Sequence, residues 1–120
     1  MSQRPIVSYE RIEHDAPRAL VYRLAGRLHG TPQCFAFLED VRDDVRDGHR
    51  NVVLDLAGLE RMNSTGVGIV AACFTSLRNA GGTLAVSGVD DSIRTLLEVV
   101  CLWDMIPHHD TEAEAVAPFG

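Results

Sequence analysis

Asn51-Val52-Val53-Leu54-Asp55-Leu56-Ala57-Gly58-Leu59-Glu60-Arg61-Met62-Asn63-Ser64-Thr65-Gly66-Val67-Gly68 is the stretch from which the fold can be read. Val52 to Leu56 is a short, apolar, β-branched run, the pattern of a strand buried in a sheet. Ala57 to Arg61 breaks that pattern and reads as a loop. Asn63 or Ser64 then has the chemistry to cap a helix whose apolar positions are Val67, Val70, Ala71, Phe74 and Leu77. Ser64 is thereby placed at a strand–loop–helix junction, near the positive end of a helix dipole. Gly66 and Gly68 keep the surrounding backbone uncovered by side chains, so the hydroxyl is open to another protein. A phosphate added there would meet backbone N–H groups.

Downstream, the helix runs to about Asn79 and stops at Gly81-Gly82. Thr83 to Ser87 reads as a further strand. Asp90 or Asp91 can cap a third helix with Ile93, Leu96, Leu97 and Val100 on its inner face. Met105-Ile106 suggests a short last strand. Thr111-x-x-Glu114 is a capping box for a brief terminal helix through Ala115 to Ala117, with Val116 as its apolar contact.

Upstream, Ile6 to Ile12 alternates loosely and suits a strand at the sheet's edge. His14-Asp15-Ala16-Pro17 reads as a turn. Ala19 to Leu24 follows as a strand with Leu20, Tyr22 and Leu24 on one face and Val21 and Arg23 on the other. Thr31-Pro32 is a helix start, a capping hydroxyl before a proline at the first helical position. Phe35, Leu38, Val41 and Val45 then recur at helical spacing, with Glu39, Asp40, Arg42, Asp43 and Arg46 opposite and Gly48 as the stop.

The order β-β-α-β-α-β-α, with an optional strand and short helix after it, predicts an α/β fold. Four to five strands form a mixed, mostly parallel sheet opened by an antiparallel hairpin and packed with three to four helices. At 120 residues the chain reads as one domain, 1–120, burying roughly two-thirds of its unfolded surface.

The same stretch carries a resemblance. Asp55-Leu56 followed by Met62-Asn63-Ser64-Thr65-Gly66-Val67-Gly68 resembles the signature of STAS domains, in particular the bacterial anti-sigma-factor antagonists. In that family a serine in an Asp-Ser-(Ser/Thr)-Gly-Leu-Gly context accepts phosphate, and Ser64 falls on its position. Gly26-Arg27-Leu28 matches the family's Gly-x-Leu after the second strand, and Gly81-Gly82 matches the break before the fourth. Leu102-Trp103-Asp104-Met105-Ile106 resembles its Gly-Leu-x-x-hydrophobic tail. Two positions depart: Asn63 stands where an acidic residue usually precedes the serine, and His29 where one follows Gly-x-Leu.

By resemblance, the partners implied are an anti-sigma serine kinase of the histidine-kinase-like ATPase type and a PP2C-type phosphatase. Unphosphorylated, such a protein holds the kinase and releases a sigma factor; phosphate on Ser64 ends the complex. His29, Asn63, Thr65, Gly66 and Val67 would form the contact surface around it. ATP belongs to the kinase, and no cofactor is implied. A homodimer stays open.

Composition bounds the alternatives. A net charge of −6 argues against nucleic acid or an anionic membrane surface as the main partner. No stretch resembles a signal peptide or a span, since Val67 to Phe74 is the longest apolar run, so a cytoplasmic location is expected. Cys34, Cys73 and Cys101 form no C-x-x-C pair; Cys73 and Cys101 fall in apolar helical patterns, as small buried hydrophobes do. His108-His109 lacks partners at zinc spacing and reads as solvated surface, so no metal site is expected.

Three other readings of Ser64 stand beside the phosphorylation switch. The plainest is a helix cap worth about 1 kcal/mol. A second is a STAS scaffold that binds its partner without phosphorylation, which the neutral Asn63 favours. The weakest is a nucleophilic enzyme, because Met62 breaks the G-x-S-x-G elbow and only His29 offers a base, so no catalytic residue is assigned.

Overall fold

The computed structural model describes residues 7–15 and 18–119. In chain order these are β1 (Val7–Asp15), β2 (Arg18–Leu28), α1 (Pro32–Arg46), β3 (Asn51–Met62) and α2 (Ser64–Asn79). Then come β4 (Thr83–Ser87), α3 (Asp91–Val99), β5 (His108–His109), α4 (Glu112–Val116) and a 3-10 turn, Ala117–Phe119. The five strands lie side by side in sequence order. β1 and β2 are antiparallel, and every later pair is parallel, giving the expected mixed α/β sheet. Ile6 of the expected first strand, and Ala16 and Pro17 of the expected turn, lie outside the described residues.

The two faces of the sheet are covered unequally. Alternation sends Leu20, Tyr22 and Leu24 toward α1, α2 and α3, where they join Phe37, Val70, Leu77, Ile93 and Leu97 in the main core. Val21, Val53 and Ala85 point the other way and pack with Ala19 and with Ala115 and Val116 of α4, with Ile12 and Phe119 beside them. Both faces being covered explains why Val52 to Leu54 and Leu84 to Val86 are apolar without alternation.

Several elements differ from the sequence expectation. Ala57 to Arg61 is not a loop, because β3 continues through it to Met62. Buried positions there are Leu56, Leu59 and Met62, spaced by three instead of two. The cause is a pair of register shifts against β2, between Arg23 and Ala25 and between Gly26 and Arg27. Each inserts a residue and hides the strand's period. Gly26 takes a φ of 90° at the second shift, a backbone conformation that a side chain disfavours.

On α1, Phe35 is exposed and the buried stripe is Cys34, Phe37, Leu38, Val41, Asp44 and Val45. Phe37 wins the inner position because it completes an edge-to-face cluster with Tyr9 and Tyr22, at centroid distances of 5.1 and 5.4 Å. Thr31 precedes the helix but does not cap it; its hydroxyl lies 3.3 Å from Cys34 Sγ. At α3, Asp90 is the cap, and the helix ends before Val100, which is half exposed and outside the core. Cys101 follows at a φ of 65° and is exposed, so it is no buried hydrophobe. The last strand is His108–His109, not Met105-Ile106, because Ile106 turns inward to the core while Pro107 offers its carbonyl to Val86 N–H. His108 also stacks on Trp103 at 3.7 Å.

Candidate functional site

The parallel strands deliver the ends of β2 and β3 to one rim of the molecule, where α2 begins. Asn63 settles the capping question: its side-chain oxygen accepts from Gly66 N–H at 2.9 Å, and its carbonyl accepts from Val67 N–H at 3.0 Å. Ser64 is therefore the first residue inside the helix. Its hydroxyl has no hydrogen-bond partner among the described residues, and Asn63, Ser64 and Thr65 are all exposed. The backbone N–H groups of Ser64 and Thr65 are likewise unpaired among the described residues, as the first donors of a helix must be without a second cap. An anion carried on Ser64 would sit beside these donors and the positive helix end.

The start of α2 rests directly on the end of β2. A methyl group at Gly66 would lie 2.2 Å from Leu28 O and 2.7 Å from Met62 Cγ, so only glycine permits the approach. Asn63 N–H donates to the same Leu28 carbonyl at 3.4 Å. Gly30 abuts Thr65, since a methyl there would come within 2.9 Å of Thr65 Cγ2. Gly66 and Val67 are consequently buried and form the floor, whereas Gly68 is exposed with open space around its α-carbon. The 29–31 turn beside them is tied down by Cys34, whose Sγ lies 3.3 Å from His29 N–H and 3.7 Å from Arg27 O.

Next to Asn63 opens a cleft of about 720 Å³ between the overhanging ends of β2 and β3 and the flank of α3. His29 and Asn63 line it together, along with Arg27, Arg61, Met62 and Leu96. His29 thus belongs to the Ser64 rim, but its ring makes no hydrogen bond to Ser64 among the described residues. The sequence reading missed Arg27 and Arg61, which the ladder places directly side by side. Their pairing could not be read from spacing, because it depends on both register shifts.

Elsewhere, no group of three or more potential ligands that could hold a metal ion occurs among the described residues. Nor is any described helix long and apolar enough to cross a membrane.

Comparison with known proteins converges on one family. The family model for the STAS domain matches residues 11–115. The chain is 30% identical over 98 residues to the anti-sigma F factor antagonist of Paenibacillus polymyxa, covering 81% of this chain and 83% of that one. An anti-sigma factor antagonist from Mycobacterium paratuberculosis shares the fold with a TM-score of 0.80 at 21% identity, over 94% of this chain and 93% of that one. The phosphorylated form of the Bacillus cell-fate determinant SpoIIAA superposes with a TM-score of 0.68 at 19% identity, over 94% of this chain and all of that one.

Proposed function

The chain belongs to the STAS domain family, and from that premise we propose that it is an anti-sigma-factor antagonist switched by phosphate on Ser64. Unphosphorylated, it binds an anti-sigma serine kinase and so frees a sigma factor; the phosphorylated form is released, and a PP2C-type phosphatase resets it. The observation that carries this reading is the division of labour at the start of α2. Asn63 holds the helix, while the Ser64 hydroxyl stands exposed beside two open N–H donors.

That arrangement suits a binding switch. Adding about −1.5 to −2 charges at a helix N-terminus is mildly favourable to the free protein. The same charge inside an interface meets desolvation and repulsion. On this reading His29, Asn63 and Thr65 contact the kinase, and Gly66 and Val67 fix the height of the platform beneath them. Nothing among the described residues hydrogen-bonds the Ser64 hydroxyl as a base would, which favours a modified residue over a nucleophile.

The test is a pair of substitutions titrated against the kinase, with mass spectrometry after incubation with ATP. Ser64→Asp should weaken binding by more than about 1.4 kcal/mol, tenfold or more, with little change in melting temperature. Ser64→Ala should bind like the wild type and take no phosphate. Phosphate on Thr65, or an undiminished affinity for Ser64→Asp, would remove Ser64 from the switch and leave a scaffold that binds without phosphorylation.

A further inference from the structure

Arg27 of β2 and Arg61 of β3 are direct neighbours across the parallel ladder, so both side chains leave the same face of the sheet. Like charges placed opposite one another in a sheet are destabilising. Elsewhere Arg11, Arg23, Arg42, Arg46 and Arg94 each pair with a carboxylate, and where Arg18 meets a charged residue across the ladder that residue is the acidic Asp15. Arg27 and Arg61 pair with none among the described residues, although both line the cleft beside Asn63. Glu60 is the one acidic residue lining that cleft, against two arginines and His29. In a chain of net charge −6, this is a local reversal of sign.

We propose that this cleft is the docking site for an acidic segment of the protein partner, with Arg27 and Arg61 gripping its carboxylates. The identity of that partner as the anti-sigma kinase rests on the reading of Ser64 above; the chemistry of the cleft does not. Paired guanidinium groups present parallel N–H donors that match carboxylates in bidentate fashion. The cleft's basic lining is short, two arginines and one histidine, which suits a brief acidic segment. A nucleic acid would also meet the negative field of the remaining surface. Half-buried Leu96, beside the edge of buried Met62, gives the aliphatic stems of such a segment a surface to lie on. Docking here would bring the partner against Asn63, one residue from Ser64.

Two measurements test this. The isotope-labelled chain is titrated with hexaglutamate at low salt, with hexalysine as the control. Amide shifts should centre on Arg27, His29, Arg61 and Asn63, fade with added salt, and be at least tenfold weaker in affinity for Arg27→Gln/Arg61→Gln. The same variant should melt no lower than the wild type, because it relieves a repulsion. Shifts elsewhere, shifts that survive the double substitution, or a melting temperature lower by more than about 5 °C would each overturn the proposal. In the second measurement Arg27→Glu/Arg61→Glu is titrated against the kinase that modifies Ser64. At least a tenfold loss is expected, and an unchanged affinity overturns the docking assignment. A chain that takes hexaglutamate in this cleft yet accepts no phosphate on Ser64 would sink the switch while leaving the acidic-segment site standing.

Discussion

Gly66 and Gly68 are two residues apart on one helix and answer to opposite physics. At Gly66 a methyl group would meet the Leu28 carbonyl at 2.2 Å, a backbone atom that cannot swing aside. Gly66→Ala should therefore push α2 off β2 and cost about 2 kcal/mol or more, in the range of overpacked cores. At Gly68 nothing lies within 4 Å. Gly68→Ala should instead stabilise the protein by about 0.5–1 kcal/mol, the helix-propensity difference. Urea unfolding of the two variants checks both signs. Loss of stability in both would mean that Gly68 also faces a neighbour.

Among the elements, α2 depends on its first turn. Asn63→Ala removes the acceptor for Gly66 N–H and should cost about 1 kcal/mol, while Ser64→Ala should stay within about 0.5 kcal/mol of the wild type. Equal losses would mean that Ser64 shares the capping. The sequence made this turn legible only as a choice between Asn63 and Ser64, since both residue types cap well. Strand and helix identities were readable where one period held, as in β4 and α3, although the cap of α3 was legible only as Asp90 or Asp91. They were not readable where a register shift breaks the period, which is how residues 57–61 came to look like a loop. Nor could spacing decide between Phe35 and Phe37, whose order is fixed by Tyr9 and Tyr22 from distant strands. The rim of Ser64 was visible as a motif; its arginine pair was not, because it exists only once the ladder is formed.

For the molecule as a whole, the edge strand β1 is tied to α1 through two carboxylates, Asp40, which accepts from Tyr9, and Asp44. Asp44 is buried on α1 and receives Arg11 of β1 through Nε at 3.0 Å and through a terminal amino group at 2.6 Å. Tyr22 of β2 donates to it as well. Burial pushes the Asp44 carboxyl up, but these donors overcome it and hold the group below its ordinary value of 3.8. A carboxyl lowered on folding adds stability that is complete above about pH 4 and lost as pH falls further. Arg11 is 39% exposed, so the pair is partly screened, and Asp44→Asn should cost about 1–2 kcal/mol at neutral pH. Urea midpoints at pH 6 and pH 3 should differ less in that variant than in the wild type. An identical acid loss would place the responsible carboxylates elsewhere.

The separation of cap from hydroxyl also bears on how this surface changes over generations. Because Asn63 alone holds the first turn and Gly66 alone permits the close approach, position 64 carries almost none of the scaffold's stability. Random substitution is thus filtered unevenly across four consecutive residues. Changes at 63 and 66 are removed for what they do to folding, whereas a change at 64 is judged only by what other molecules make of it. If Ser64 is the proposed switch, its exchange for threonine or alanine would alter signalling without first requiring repair of the fold.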